Sequence, residues 1–299
     1  MQLRRSSCDI PAQFICQIEL NFEFMLQISK SENLVIQTGF YTLEAFVYDD
    51  GGPLVVTFEH LRGQGRAQHR LRSGWMVNYL RTKRVSHLAV KPGRNDWYRR
   101  QGLTEAFQYL KDSGFLDRFA RVITCGGSMG GYGALAYSGM LDADTVVAFN
   151  PLTTLNSRLV PWETRFQNYA TNFDWDGPFH DAAKECASAR QVYAVVDRCY
   201  DLDWKHVARM PSHNLHVLNA PFLQHQLPLY LHWLGLLEPF FDNMVQGRIE
   251  TMPFNKVLRD RRELAQYFNV LENAPRVRSS PVFSGIVRRF KQESPLMGS

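Results

Sequence analysis

The sequence predicts an α/β fold in which helices cover both faces of a doubly wound, mostly parallel β-sheet. Apolar segments of strand length alternate along the chain with segments of helical periodicity, an order typical of this class. Residues 54–58 are almost entirely apolar, as strands of a parallel sheet are when both faces are buried. Within residues 121–140, an apolar β-branched run leads through glycines into a helical segment, which predicts a strand, a tight turn and a helix.

The chain divides into three predicted parts. Residues 1–32 are an N-terminal extension, residues 33–238 the sheet core, and residues 239–299 a C-terminal extension of accessory helices with a basic tail. The core opens with two antiparallel strands within residues 33–48. Further strands are predicted at residues 54–58, 85–90, 122–124, 145–149, 192–196 and 215–218, and helices at residues 73–81, 102–113, about 131–139, 205–210 and 227–237.

The alternation of strands and helices breaks at residues 156–191. There Trp162, Phe166, Tyr169 and Phe173 follow one another at the spacing of a single helical face. Aromatic residues at this spacing usually pack against the body of a protein, so we expect a small helical insertion over the sheet.

Composition limits the class of protein. The chain has 299 residues, of which 45% are hydrophobic, and a net charge of +5, values of an ordinary globular protein. No apolar run reaches the 18 or so residues of a membrane-spanning helix. The five cysteines are scattered without the spacing of a disulfide framework or a zinc site. We therefore expect a cytoplasmic protein with no transmembrane segment, no bound metal and no nucleic-acid partner.

The most informative segment of the sequence is the turn Gly126-Gly127-Ser128-Met129-Gly130, which has the spacing G-x-S-x-G. Between a strand and a helix, this spacing places a serine at the apex of a strained turn, and the outer glycines let strand and helix approach closely. The segment resembles the nucleophile elbow of the α/β-hydrolase superfamily. The resemblance implies the α/β-hydrolase fold, a serine hydrolase acting through an acyl-enzyme, and a lid formed by the insertion 156–191.

A serine nucleophile needs a histidine base and an acid that orients it, and the superfamily has them in the order serine, acid, histidine. On this pattern the catalytic residues are Ser128, Asp201 and His225, each in a loop that follows a strand. Asp203 is the alternative acid, although it also suits the N-cap of the next helix.

Acyl transfer also requires two donors for the developing oxyanion. The resemblance assigns one to the backbone N–H of Met129 and the other to Phe58 or Glu59, after the first buried strand. The glycine that commonly occupies this loop in the superfamily is absent here.

Basic residues are concentrated between Arg62 and Arg100, where eleven basic residues and one acid give +10. A solvated surface would account for about half of them. The remaining ones, including Arg62 and Arg94, flank the predicted site, and charge of one sign at a cleft attracts ligands of the opposite sign. We expect Arg62, Arg94, Trp97 and Trp162 to bind an anionic small-molecule or glycan ester.

Three functions fit these residues. The first is a serine hydrolase that cleaves an ester, thioester or amide without a cofactor. The second is an acyltransferase in which a sugar or alcohol hydroxyl replaces water on the same triad. The third is a binding module that keeps the hydrolase fold without turnover.

Overall fold

The structure is a computed structural model that describes residues 13–20, 22–29, 33–61 and 72–293. Of residues 13–20 and 22–29 it describes the backbone alone. Arg62 and the rest of the segment 62–71 lie outside the described residues, so the expected role of Arg62 stays a prediction.

The described strands form one ten-stranded sheet in the order β1-β2-β3-β4-β6-β5-β7-β8-β9-β10. Strands β1 to β4 pair in antiparallel fashion, β4 pairs antiparallel with β6, and the remaining pairs are parallel. The strands are β1 Gln13–Leu20, β2 Phe22–Ser29, β3 Asn33–Gln37, β4 Tyr41–Phe46, β5 Pro53–Phe58, β6 His87–Pro92, β7 Arg121–Gly127, β8 Thr145–Phe149, β9 Gln191–Val196 and β10 Leu215–Asn219.

Helices separate the parallel strands, because a parallel pair needs a crossover that packs back on the sheet. The described helices are α1 Val77–Thr82, α2 Leu103–Asp112, α3 Met129–Ala136, α4 Gln167–Asn172, α5 Ala182–Glu185, α6 Asp201–Val207, α7 Leu227–Trp233, α8 Leu237–Val245, α9 Thr251–Val257, α10 Ala265–Glu272, α11 Pro275–Arg278 and α12 Pro281–Glu293. Short 3₁₀ turns occur at Leu116–Arg118, Cys186–Ser188 and Leu258–Glu263.

The two faces of the sheet bury separate apolar clusters. On one face, residues of α2 and α3 such as Phe107 and Tyr132 pack on strand residues such as Val56. On the other, Phe241 and Phe254 pack on strand residues such as Phe149. The sheet is therefore doubly wound and mostly parallel, as the sequence predicts.

Both predicted terminal extensions are integrated with the core. The hairpin of β1 and β2 continues the sheet through antiparallel pairing of β2 with β3, so the expected boundary at residue 33 falls within one sheet. The boundary at residue 239 falls inside α8. Buried residues of α8, α9 and α10 belong to the cluster that covers one sheet face. None of the described helices has the length and apolarity to cross a membrane.

Candidate active site

Ser128 occupies the sharp turn between β7 and α3, with φ 53° and ψ −115°. A residue with a Cβ avoids this region because its side chain crowds the backbone, so the surrounding structure must hold it there. The backbone N–H of Ser128 donates to the carbonyl of Phe149 at 2.9 Å, and the carbonyl of Ser128 accepts the N–H of Tyr132 at 3.0 Å. These bonds place the hydroxyl at the carboxyl edge of the sheet.

The outer glycines of the turn are required by close approach of the backbone. A Cβ on Gly126 would meet the carbonyl of Gly130, with the Gly130 Cα only 2.9 Å away. A Cβ on Gly130 would collide with the carbonyl of Phe58 and lie 2.8 Å from that of Glu59. The two glycines therefore let α3 start directly against β5 and β7.

We expect Gly130→Ala to destabilise the protein by about 1–3 kcal/mol, because backbone atoms cannot move aside as a flexible side chain can. Thermal unfolding measures the effect as a lowered Tm. Gly285→Ala in α12 is the control, since no atom lies within 4 Å of the added Cβ, and its Tm should be unchanged or higher. An unchanged Tm for Gly130→Ala would contradict the close approach.

His225 lies in the loop between β10 and α7 and contacts both the serine and an acid. Its Nε2 is 2.9 Å from the Ser128 Oγ, and its Nδ1 is 2.7 and 2.9 Å from the two carboxylate oxygens of Asp203. A carboxylate can only accept, so Nδ1 carries the proton and Nε2 is left to accept the hydroxyl proton of Ser128.

The serine, the acid and the histidine follow one another in the chain, and each leaves the carboxyl end of a parallel strand. This order and placement are the ones that the resemblance to an α/β-hydrolase implies. The sheet brings the ends of β7, β9 and β10 to one edge, where the three side chains meet.

Of the two candidate acids, Asp203 contacts the histidine and Asp201 does not. Asp201 begins α6, is exposed and pairs with Lys205 at 2.6 Å. Asp203 is fully buried and also accepts Asn150 Nδ2 at 3.0 Å and Arg165 Nη1 at 2.7 Å. The sequence favours Asp201 as the acid, whereas in the structure Asp203 is the aspartate that contacts His225, because two residues along a helix lie on nearly opposite sides of it.

Two further residues hold the loop that carries His225. Asn150, at the end of β8, donates to the carbonyl of Gln224 at 2.9 Å and accepts the N–H of Leu227 at 3.2 Å. The buried carboxylate of Asp197 accepts the N–H of Gln224 at 2.8 Å, and its burial raises its pKa above the usual value. Asn150 is not among the site residues predicted from the sequence, although its place after a strand at the carboxyl edge is a usable signal.

A cavity of about 580 Å³ opens beside Ser128 and His225. Its described walls are mostly apolar, with two histidines, His60 and His232, near the triad. The described lining consists of His60, Leu61, Trp75, Met76, Gly127, Ser128, Asn150, Phe166, His225, Gln226, Pro228, Leu229, His232 and Leu237.

Phe166 is the residue of the insertion that reaches this cavity, and its ring lies 6.3 Å from that of His225. The two expected tryptophans are placed elsewhere. Trp97 is fully buried among aromatic rings that include Phe166 and Trp175. Trp162 packs edge-on against His206 at 4.6 Å between ring centroids. Trp97 and Trp162 are thus not among the residues that line the cavity, whereas Phe166 is.

The basic residues of the predicted anion site are mostly engaged within the protein. Lys91 is fully buried and pairs with Glu44 at 2.6 Å. Arg99 donates to the carbonyl of Asp174 at 2.8 Å, and Arg100 lies over the ring of Phe40. Arg94 is exposed and does not line the cavity. Among the described residues, therefore, no lysine or arginine lines the cavity.

The oxyanion donors expected from sequence differ in their placement. Met129 is the first residue of α3, where a backbone N–H has no acceptor within the helix. Phe58 packs in the core, and the carboxylate of Glu59 pairs with Arg72. The residues of this loop that face the cavity are His60 and Leu61. In the described part of the chain, no group of acidic, histidine and cysteine side chains is arranged to hold a metal.

No protein-family model matches this chain, and no curated protein does. Among solved structures, it is similar to the capsule O-acetyltransferase of Neisseria meningitidis serogroup A, at 11% identity over 73% of this chain and 96% of that one, with a TM-score of 0.49. It is also similar to Est1E from Butyrivibrio proteoclasticus (14% identity, 71% and 98% covered, TM-score 0.47). A third is FphF, a fluorophosphonate-binding serine hydrolase of Staphylococcus aureus (12% identity, 79% and 99% covered, TM-score 0.47). Such distant likenesses concern the arrangement of the sheet and say nothing about a substrate.

Proposed function

We propose that this protein is a serine hydrolase that cleaves esters of apolar acyl groups through an acyl-enzyme on Ser128. The observation that carries the proposal is the continuous hydrogen-bonded path from the Ser128 Oγ through His225 to Asp203, at the floor of an apolar cavity. A neutral serine is a weak nucleophile, and this arrangement is the one that activates it.

In the proposed reaction, the Ser128 Oγ attacks the acyl carbonyl as its proton passes to His225 Nε2. Asp203 stabilises the imidazolium through Nδ1–H. His225 then protonates the leaving alcohol, and water attacks the acyl-enzyme by the same route. The oxyanion is stabilised by the N–H of Met129 and, because the loop after β5 presents them to the cavity, by a backbone N–H of His60 or Leu61.

Labelling by a fluorophosphonate probe tests whether the serine is activated. We expect one covalent adduct, located on the peptide that contains Ser128 by mass spectrometry, with excess unlabelled probe as competitor. Absence of an adduct would favour the alternative of a binding module that keeps the fold without turnover.

The wall of the cavity favours a neutral acyl group over an anionic one. Burial of a methylene contributes about 0.8 kcal/mol, so kcat/KM should rise about fourfold for each methylene added to a short p-nitrophenyl ester until the cavity is filled. A matched ester whose acyl chain ends in a carboxylate should react at least about tenfold more slowly, because an unpaired charge is costly to bury. Faster turnover of the anionic ester, weakening with salt, would instead support the anionic substrate predicted from the basic segment.

Acyl transfer to a sugar or alcohol remains the second candidate on the same triad. Hydrolysis is favoured because the side chain of His225 is 23% exposed, which leaves the base accessible to water. Product analysis in the presence of an alcohol separates the two: a hydrolase releases mainly free acid, while an acyltransferase releases mainly the new ester.

A further inference from the structure

Asp203 is held by an arginine that comes from the insertion. Arg165 Nη1 donates to Asp203 Oδ1 at 2.7 Å, while His225 and Asn150 donate to Oδ2. The same Arg165 nitrogen is 3.4 Å from His225 Nδ1. A positive charge therefore lies directly beside the group that would become imidazolium during turnover.

Arg165 is in turn fixed by a buried carboxylate. Its Nε donates to Glu163 Oε1 at 3.0 Å and its Nη2 to Oε2 at 2.5 Å, the paired geometry that suits a guanidinium. Glu163 Oε2 also accepts His206 Nε2–H at 3.2 Å, and His206 Nδ1 accepts the N–H of Thr153 at 3.1 Å. The side chains of Asp203, Glu163 and His206 are at most 1% exposed, and that of Arg165 is 17% exposed.

The charges alternate in sign along this series of contacts, with Asp203 negative, Arg165 positive and Glu163 negative. Asp203 and Arg165 alone would sum to zero and would give an imidazolium little net attraction. Glu163 restores one net negative charge to the group. Burial by itself would raise the pKa of Glu163, but the hydrogen bonds from His206 and Arg165 outweigh it and lower the pKa to about 2. Glu163 is therefore ionised at any pH at which the enzyme would be assayed.

We propose that Arg165 is a positioning residue of the triad and that Glu163 compensates its charge, so that the insertion and the catalytic acid act as one unit. The inference rests on the proposed function. Because Phe166 follows Arg165 and lines the cavity, the segment that shapes the acyl site also fixes the direction of the Asp203 carboxylate. Orientation of the acid sets the orientation and tautomer of His225.

The contrasting interpretation is that Arg165 only stabilises the contact between the insertion and α6. The chain offers a matched pair for that role, since Arg209, just after α6, bonds both oxygens of Asp181 in the insertion at 2.9 and 3.0 Å. Arg209 has a side-chain exposure of 21%, close to that of Arg165, and its partner is also buried. Arg209 also donates to Thr153 Oγ1 at 2.5 Å, and that oxygen contacts His206 Nδ1. Arg209 does not contact Asp203 or His225 in the described contacts, so Arg209→Gln removes a comparable contact of the insertion without touching the triad.

The test is the pH profile of kcat/KM for a p-nitrophenyl ester in four variants, namely Arg165→Gln, Arg165→Lys, Glu163→Gln and Arg209→Gln. Protonation of His225 defines the acid limb of that profile in the proposed reaction. The titratable and charged groups that face Asp203 from the insertion, α6 and the loop after β9 are Arg165, Glu163, His206 and Asp197. On the cavity side of His225 they are His60, from the loop after β5, and His232, from α7.

We expect the acid limb to move in opposite directions in Arg165→Gln and in Glu163→Gln. Loss of the positive charge in Arg165→Gln should move the limb to higher pH and lower the plateau kcat about tenfold or more, since a buried charge-assisted hydrogen bond is lost. Loss of the negative charge in Glu163→Gln should move it to lower pH. In Arg165→Lys the acid limb should lie close to its position in the unmodified protein, because lysine keeps the positive charge. The kcat should recover only in part, because lysine lacks the planar guanidinium that makes paired hydrogen bonds. Arg209→Gln should leave the limb in place.

The inference is overturned if the acid limb stays at the same pH in both Arg165→Gln and Glu163→Gln and if each variant loses as much kcat as Arg209→Gln does. Arg165 would then have only a structural role. Fluorophosphonate labelling of the unmodified protein separates this failure from that of the proposed function. If Ser128 is labelled and the limb does not move, the triad is active and only the role of Arg165 is wrong.

Discussion

Ser128→Ala should reduce kcat for a small p-nitrophenyl ester by about a million-fold. The reason is that the nucleophile and its base act as a unit, and removal of either leaves the other without a function in the reaction. His225→Ala should cause a loss of the same order, and the double variant should be no slower than either single one. Stopped assays with a sensitive fluorogenic ester extend the measurement to residual rates.

Two controls accompany this experiment. Ser279→Ala removes an exposed hydroxyl at the end of α11, and it should leave both kcat and fluorophosphonate labelling unchanged. The Tm of Ser128→Ala should be equal to or above that of the unmodified protein, since alanine is smaller in a strained turn. Activity that survives in Ser128→Ala with a normal Tm would assign the nucleophile to another residue.

Asp203→Asn should lower kcat by about ten-thousand-fold, whereas Asp201→Asn should change it less than twofold. An asparagine amide in place of the carboxylate no longer fixes the Nδ1–H tautomer, so Nε2 is not kept as the acceptor for the Ser128 proton. Asp201 is exposed and pairs with Lys205 four residues later, an interaction that contributes little. The two variants differ by one atom from their parents and sit in the same turn of α6, which makes each the control for the other.

A second measurement distinguishes loss of catalysis from loss of folding in Asp203→Asn. The substitution leaves Arg165 with Glu163 as its remaining carboxylate partner, so a lower Tm is expected together with the lower rate. Fluorophosphonate labelling should be slowed but still confined to Ser128. If Asp201→Asn were the slow variant, the acid assignment from the geometry would be wrong.

The sequence by itself determined the strands of the sheet from residue 33 onward and the serine turn, but not the hairpin of β1 and β2. Strands such as β5 and β8 are read directly from apolar runs, because a strand buried on both faces tolerates few polar residues. The G-x-S-x-G turn is equally local, since the crowding that requires Gly126 and Gly130 arises within a strand, a turn and a helix. Chain order then predicted His225 as the base, and in the structure its Nε2 lies 2.9 Å from the Ser128 Oγ.

Only the tertiary structure decided which charged residues lie at the candidate site. Asp201 and Asp203 are indistinguishable by spacing after β9, and the difference is that α6 turns Asp203 inward and Asp201 outward. Arg165 and Glu163 come from an insertion whose path no local pattern reveals. The basic segment illustrates the same limit: Lys91 and Arg99 are charged in the sequence, but partners distant in the chain bind them. A periodic apolar pattern is a local property, whereas the pairing of charges depends on contacts between distant segments.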